Sequence, residues 1–344
     1  MRGVARAGVV RACVVRACVV RAWPPTTVSG VTESGRSAHR SARTGLLQVC
    51  AAGVLWGTGG LVVTVLNDRD GLGAMTVSAW RMALAAVALI GFAAVTGQAR
   101  VALGTMRAHP ALSILVGCGT ALYQGLYFAA VLLVGVSVAT VVALGLAPIL
   151  ATVWEHARVR TWPSRREVGV LAAALTGLVL ISVHAGHGSG VPGDDPTLGL
   201  LLAVASGATY AATTVLGHGL AQQVDPVALT TCATAAGAVA LSPFFGIAAA
   251  TGQPVVSPEP ISLALLVYLG VATMALSYGL LYAGLRTTSG SAATVATLVE
   301  PLAAALLAVI LLGERLPWPA LLGGVLILAA VVALRPTEER PAPA

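Results

Sequence analysis

The feature that most constrains this chain is a succession of apolar runs, each about 20 residues long, that begins at residue 45. A helix of that length crosses the ~30 Å of hydrocarbon in a bilayer. Short segments rich in glycine, proline, aspartate and arginine separate the runs and interrupt the helices. Ten spans are predicted, at residues 45–66, 74–96, 111–133, 136–154, 167–184, 197–217, 227–250, 262–285, 290–312 and 317–335.

The composition excludes an ordinary soluble domain. Hydrophobic residues make up 57% of the chain and charged residues 10%, with a mean hydropathy of +0.88, whereas soluble domains carry roughly 25% charged residues. We therefore expect an all-α integral membrane protein with the lipid bilayer as its solvent. The net charge of +7 does not indicate a nucleic-acid partner, because the basic residues are all arginines scattered among the connections.

The arginines in the connections predict the orientation, since cytoplasmic connections retain basic residues. With the N-terminus inside, and the region before residue 45 left aside, nine arginines fall on the cytoplasmic side and two, Arg69 and Arg315, on the outer side. Both outer arginines adjoin acidic residues. We expect a multi-pass protein of the cell membrane with both termini in the cytoplasm.

Two terminal segments lie outside the predicted spans. Residues 1–44 form an arginine-rich leader and residues 336–344 a short cytoplasmic tail. Arginines recur every five residues early in the leader, so neither a helix nor a strand collects them on one face. The same spacing disfavours a mitochondrial presequence. We expect the leader to be disordered, or to precede a true start at Val28 or Val31.

The sequence also repeats itself. At an offset of 153 residues Gly117 aligns with Gly270 and Pro148 with Pro301, and the same register holds across two consecutive spans. This predicts two five-helix repeats, at residues 45–184 and 197–335. Because five is an odd number, the second repeat crosses the membrane upside down relative to the first. Inverted repeats are typical of transporters, whose two halves exchange conformations about a central site.

Several motifs resemble those of one known family. They are Leu55-Trp56-Gly57-Thr58, Arg81, Tyr268-Leu269-Gly270-Val271 through Tyr278, and Val299-Glu300-Pro301 running to Leu312-Gly313-Glu314-Arg315. On these residues the chain resembles the EamA-type transporters of the drug/metabolite transporter superfamily, over about residues 45–335. The resemblance implies a secondary active transporter that exports small metabolites, amino-acid-like or drug-like solutes, by alternating access. It also implies coupling to an ion gradient, of which protons are one candidate.

Glu300 is the candidate coupling residue. It lies near the middle of the ninth predicted span, where an ionised side chain costs on the order of 2.5–3.5 kcal/mol, so it must face protein or water. A carboxyl group in that position can alternate between a proton and a solute. The alternative is a neutral glutamate that ties two helices together.

Pro148 and Pro301 are candidate helix breaks at equivalent places in the two repeats. Each proline leaves the carbonyl four residues earlier, on Leu144 and Thr297, without its helical donor. Such carbonyls can coordinate a solute or an ion, although kinks for packing explain the same residues. Their symmetry is what favours the functional interpretation.

Arg81 is the candidate anchor for a carboxylate, either of the solute or of Glu300. It lies ~10 Å below the outer end of the second span, and snorkelling to the outer surface is the alternative. Aromatic and amide side chains supply stacking faces and hydrogen bonds for a solute of mixed polarity, unless they act as interfacial anchors. The candidate solute-binding residues are Arg81, Trp56, Tyr123, Gln124, Tyr127, Tyr210, Tyr278 and Tyr282. Gly53 and Gly57, at GxxxG spacing, indicate close helix packing.

Other functional classes have weaker support. The sequence has no HExxH, GxSxG or phosphate-loop motif, so we expect neither an enzyme nor a cofactor. His184 and His187 stand alone near a span end and the five cysteines are scattered, so no metal site is expected. A membrane receptor or a structural membrane protein is the alternative, but neither explains an inverted repeat. The oligomeric state is left open, with a homodimer as one alternative.

The orientation can be tested with reporter fusions. Cytoplasmic reporters should be active after residues 100, 160, 220, 286 and 344, and outward-facing reporters near residues 70, 190 and 256, because the arginines hold their connections in the cytoplasm. The reversed pattern would contradict the predicted orientation.

Overall fold

The computed structural model describes residues 34–184, 195–312 and 317–334, and within these ranges it contains helices and their connections but no strand. Four predicted features lie outside the described residues. They are the leader up to residue 33, the loop around His187, the Gly313-Glu314-Arg315 motif and the C-terminal tail.

The ten predicted spans are confirmed. The described residues contain nine helical stretches long and apolar enough to cross a membrane, and the shorter apolar helix Trp318–Ala333 supplies the tenth. The first half consists of helices Ser34–Asp70, Ala74–Val95, Ala99–Ala108, Pro110–Val159 and Arg165–His184. The second half consists of helices Pro196–Ala221, Pro226–Leu241, Pro243–Ala250, Pro260–Gly270, Ser277–Gly284, Gly290–Ala296, Val299–Leu312 and Trp318–Ala333, with a π-helical segment at Val271–Leu276.

The long helix Pro110–Val159 contains both the third and the fourth span. Its two membrane-spanning parts are Pro110–Val131 and Val138–Val159. The Tyr127 and Thr140 hydroxyl oxygens are 2.7 Å apart, whereas thirteen residues of straight helix would separate them by about 20 Å. The chain must therefore reverse between the two parts, so that the spans lie side by side as an antiparallel pair.

Local sequence explains where several helices begin. Asp195 and Asp225 accept hydrogen bonds from backbone N–H groups of the first helical turn, and each is followed by a proline. Ser164 and Glu167 form a reciprocal capping box at the start of the fifth span, in which each backbone N–H donates to the other side chain.

The two halves pack through close approaches at equivalent glycines. A Cβ atom on Gly117 would lie 2.3 Å from the Ala233 carbonyl oxygen of the seventh span, and one on Gly270 would lie 2.5 Å from Leu84 of the second span. The third span therefore packs on the seventh as the eighth packs on the second. These glycines are the pair aligned by the 153-residue offset, as expected for two related halves.

The fifth and tenth spans cross each other reciprocally. A Cβ atom on Gly177 would lie 2.5 Å from the Gly323 carbonyl oxygen, and one on Gly323 would lie 2.7 Å from the Gly177 carbonyl oxygen. Each backbone thus fills the space that a side chain on the other would need. Small residues permit this approach in membranes, where packing rather than hydrophobic burial joins helices.

Two sets of hydrogen bonds distinguish the ends of the bundle. At one end the Trp80 indole N–H donates to the Val255 carbonyl at 2.7 Å, and the Ser257 hydroxyl donates to Asp70 at 2.8 Å. At the other end the Gln222 amide donates to the Leu285 carbonyl at 2.7 Å. The connection after the first span therefore meets the connection before the eighth, as an alternating set of spans requires.

The structure contains helix at two places where the sequence predicted none. Residues 34–44 belong to the first helix, Ser34–Asp70, rather than to a disordered leader, because that stretch contains no helix-breaking proline. The connection after the second span contains the helix Ala99–Ala108, which we did not predict. Its apolar face is too short to produce the long apolar run used to find spans.

The reciprocal glycine crossing can be tested by adding volume. Replacing Gly177 by valine should lower the free energy of unfolding by ~1–3 kcal/mol, since backbone atoms cannot rotate away from the new side chain. The matched control is Gly169→Val in the same span, where a Cβ atom would meet nothing within 4 Å. Unfolding in mixed micelles, followed by tryptophan fluorescence, measures both variants. Equal losses would contradict a tight crossing at Gly177.

Candidate functional site

Arg81 lies on the second span, half-buried in the bundle. One terminal nitrogen of its guanidinium group is 3.5 Å from the Met274 sulfur of the eighth span. Its Nε atom is buried and has no hydrogen-bond partner among the described residues. A permanently charged group with unused donors is therefore held inside the protein, where donors normally find partners.

Glu300 lies within electrostatic range of Arg81 and belongs to the opposite half of the chain. It is half-buried at the start of helix Val299–Leu312, and the two side chains are close enough to interact electrostatically. The nearby groups that also interact electrostatically with Glu300 are Tyr123, Tyr127 and Tyr210. The structure thus brings together the two charged residues singled out in the sequence.

The ninth span is interrupted directly before Glu300. Its helices are Gly290–Ala296 and Val299–Leu312, and Thr297 and Leu298 form a turn between them. Because Pro301 lacks an N–H, the Thr297 carbonyl accepts from the Glu300 N–H at 2.9 Å instead. The freed carbonyl is therefore partly satisfied within the turn.

Neighbouring spans support the turn from two sides. The Thr297 hydroxyl donates to the Thr294 carbonyl at 2.9 Å. Because its hydrogen is used there, it accepts from the Tyr210 hydroxyl at 3.0 Å. On the other side, Gly53 and Gly57 bring the first span against the backbone from Thr297 to Glu300. The expectation that these two glycines mark close packing is confirmed.

The expected equivalence of the two prolines is corrected by the structure. Helix Pro110–Val159 continues through Pro148, whereas the ninth span is interrupted before Pro301. Around Pro148 the fourth span is held by the sixth, whose Gly207 lies directly against the Ala143 backbone. Packing therefore maintains the helix at one proline, while the turn before the other is stabilised by its own hydrogen bonds.

The eighth span contains a π-helical segment at Val271–Leu276. Met274, the neighbour of Arg81, lies within this segment, and Tyr278 lies shortly after its end at Leu276. Single-turn π segments inside α-helices occur frequently at functional sites. The sequence does not reveal this segment, because its apolar residues fit an α-helical period and a π-helical period equally well.

An aromatic cluster lies beside the charged pair. The ring centroids of Trp56 and Tyr278 are 5.1 Å apart, as are those of Tyr123 and Tyr210, and those of Tyr278 and Tyr282 are 6.0 Å apart. The hydroxyl groups of Tyr123 and Tyr278 are 3.5 Å apart. Five of the predicted aromatic residues therefore form one connected group.

The other two predicted polar residues lie at the margin of this cluster. Tyr127 bonds Thr140 and stacks edge-on against Phe128, which belongs to its own span. Gln124 is buried, and its carbonyl oxygen has no hydrogen-bond partner among the described residues. A buried amide with an unused acceptor can accept a hydrogen bond from a solute.

The space between the second, third and eighth spans beside the aromatic cluster is closed in this conformation. The cavity between Met82, Thr120, Met274, Tyr278 and Tyr282 has a volume of about 0 Å³, against the ≈ 300–1,000 Å³ of typical ligand pockets. A larger cavity of about 450 Å³ lies at the Gln222 end of the bundle. Solute could enter the central group only after the spans separate.

Sequence reasoning missed one acidic residue. Glu155, near the end of the fourth span, is half-buried and bonds Ser291 at the start of the ninth. It lies close to a run of arginines, and such a composition is typical of a solvated surface. No sequence signal identified its partner, which lies 136 residues away.

The model of the EamA-like transporter family matches residues 43–183 and 197–335, which together cover most of the chain. The chain belongs to the EamA-like transporter family. The resemblance found in the sequence motifs is thereby confirmed, and the family belongs to the drug/metabolite transporter superfamily. This EamA protein is a multi-pass membrane transporter with a small-molecule solute, which points away from an enzyme.

Two bacterial relatives agree with this assignment, and one solved structure has the same fold. The chain is 30% identical to the uncharacterized transporter YwfM of Bacillus subtilis (strain 168) over 235 residues, covering 68% of this chain and 76% of YwfM. It is 27% identical over 304 residues to the uncharacterized inner membrane transporter YicL of Salmonella typhimurium, covering 88% of this chain and 98% of YicL. A crystal structure with 18% identity has the same fold, with a TM-score of 0.69 over 87% of this chain and 96% of the other.

The bond between Tyr210 and Thr297 gives a test of the site's construction. Tyr210→Phe should lower the free energy of unfolding by ~1 kcal/mol, because the hydroxyl of Thr297 loses its donor inside the bundle. Thr297→Val removes the same bond from the other side, so the double variant should cost less than the sum of the two single variants. Thermal unfolding in detergent measures all three. Strict additivity would show that the two hydroxyls do not interact.

Proposed function

We propose that this EamA transporter exports small solutes of mixed polarity from the cytoplasm by alternating access and couples their movement to protons through Glu300. The observation that carries the proposal is the charged pair Arg81 and Glu300. The two residues come from opposite halves of the chain and interact electrostatically inside an aromatic cluster. Ionisable residues within a membrane are functional by default.

The pair supports a mechanism of exchange between proton and solute. When Glu300 is ionised it neutralises Arg81. When it takes up a proton, Arg81 loses its counter-charge and becomes available to a solute carboxylate. Because Arg81 remains protonated throughout, only the glutamate has to change state. The break before Glu300 gives this residue freedom to move independently of the first half of its span.

The surrounding side chains support an amino-acid-like or drug-like solute. Trp56, Tyr123 and Tyr278 offer aromatic faces, and their hydroxyl and indole groups add hydrogen bonds. The Gln124 carbonyl is an acceptor that a solute ammonium or amide could use. A solute with a carboxylate, an apolar body and a donor would engage all three kinds of group.

The direction and the location rest on the arginine distribution and on the family. Cytoplasmic arginines support a cell-membrane protein with both termini inside. Export from the cytoplasm agrees with that orientation and with the drug/metabolite superfamily to which EamA proteins belong.

The role of Glu300 can be tested with Glu300→Gln, which keeps the shape of the side chain and removes its proton exchange. The variant should reach the membrane at normal abundance and lose transport driven by a pH gradient, while exchange of one solute for another persists. Transport is measured in proteoliposomes with an imposed pH gradient, using a mixture of labelled amino acids.

The matched control is Glu259→Gln, which changes an exposed glutamate just before the eighth span and should transport like the wild type. Gradient-driven transport that is equal in the wild type and Glu300→Gln would refute proton coupling at this residue. It would favour sodium coupling, facilitated transport or a mechanism centred on Arg81.

A further inference from the structure

Glu155 joins two distant spans at one end of the bundle. One of its carboxylate oxygens accepts from the Ser291 backbone N–H at 3.1 Å, and the other accepts from the Ser291 hydroxyl in a short hydrogen bond. Gly290 is equally close, since a Cβ atom there would lie 3.1 Å from the carboxylate. A single side chain on the fourth span therefore holds the beginning of the ninth.

The sixth span completes this contact. His218 interacts electrostatically with Glu155. It also hydrogen-bonds the backbone of Leu285 and Thr288, in the connection that leads into the ninth span. Val215, one turn earlier on the sixth span, lies against Gly290. Spans from both halves of the chain thus converge on the segment from 285 to 291.

The segment held by Glu155 is separated by a turn from the helix that carries Glu300. Helix Gly290–Ala296 ends at the turn of Thr297 and Leu298, so it can tilt while helix Val299–Leu312 stays in place. Charge-assisted hydrogen bonds such as those to Glu155 are stronger than neutral ones. Losing these hydrogen bonds therefore lowers the stability of the short helix Gly290–Ala296 appreciably.

Both ends of the bundle are tied in this conformation. The Trp80–Val255 and Asp70–Ser257 bonds close one end, and the bonds of Glu155 close the other. Because no cavity is open between Met82, Thr120 and Tyr278, a carrier with this structure must break one of these sets of contacts in each half of its cycle.

We propose that Glu155 is a positioning residue of the transport cycle: its bonds to Ser291 hold the first half of the ninth span against the fourth span, and their breaking opens this end of the bundle to solute. The inference rests on the alternating-access transport proposed above. It does not depend on which ion or solute is carried, and the test below needs neither.

The test measures how accessible each end of the bundle is. A cysteine replaces Thr294, which is 1% exposed on the held segment, or Thr76, which is 3% exposed on the second span near the other end. The background is a protein whose five native cysteines are changed to alanine. A membrane-impermeant thiol reagent is added to inside-out and to right-side-out vesicles, and the labelling rate is compared between variants.

Glu155→Ala should raise labelling of the cysteine at 294 about tenfold, the change expected when a charge-assisted hydrogen bond is lost. Labelling of the cysteine at 76 should stay the same or fall. Glu155→Gln should restore most of the wild-type rate, because its amide oxygen can still accept from the Ser291 N–H. The matched control is Glu167→Ala, since the described bonds of Glu167 go to Ser164 at the start of its own helix and to His156 of the fourth span, and not to the ninth span.

Two outcomes would overturn the proposal. One is an unchanged rate at position 294 in folded Glu155→Ala protein. The other is a rise at both positions, because general loosening of the bundle exposes both ends alike. If Glu155→Ala does not fold, Ser291→Ala removes only the hydroxyl bond and should still raise the rate at 294 severalfold, and its failure to do so would equally overturn the proposal. A positive result here together with unchanged transport in Glu300→Gln would refute only the coupling mechanism.

Discussion

In hydrocarbon every backbone N–H and C=O must find a partner within the protein, and this requirement governs the whole molecule. It explains why the described chain consists of helices and why each departure from a regular helix is compensated. At the break before Pro301, the Thr297 carbonyl accepts a hydrogen bond from the Glu300 N–H, and the Thr297 hydroxyl accepts one from the Tyr210 hydroxyl. The irregular backbone lies where protein groups can satisfy it.

Glycine allows those helices to come close enough to form one bundle. The reciprocal crossing of Gly177 and Gly323 joins the fifth and tenth spans, and the approach of Gly57 to Glu300 positions the first span beside the break. Lipid provides no hydrophobic drive between helices, so surface complementarity must hold them. The same close packing leaves no open cavity between the second, third and eighth spans beside the aromatic cluster, so these spans must move before a solute can enter there.

The sequence predicted the large features well. Run length identified the ten spans, and the 153-residue offset identified glycines that do occupy equivalent contacts. Arg81 and Glu300 were found because a charge inside an apolar run is costly wherever it lies. Tyr127 was grouped with the other tyrosines, yet its hydroxyl bonds Thr140 instead, because the reversal after the third span brings that threonine beside it.

By itself the sequence determined the membrane setting, the helical class and the two-half organisation, because hydropathy and periodicity depend on neighbours along the chain. Only the tertiary structure decided which proline interrupts its helix, where the π segment lies and what Glu155 binds. Each of these depends on groups distant in sequence. Gly207 packs against the Ala143 backbone close to Pro148, and Ser291 binds the carboxylate of Glu155. Such contacts form only when the spans pack.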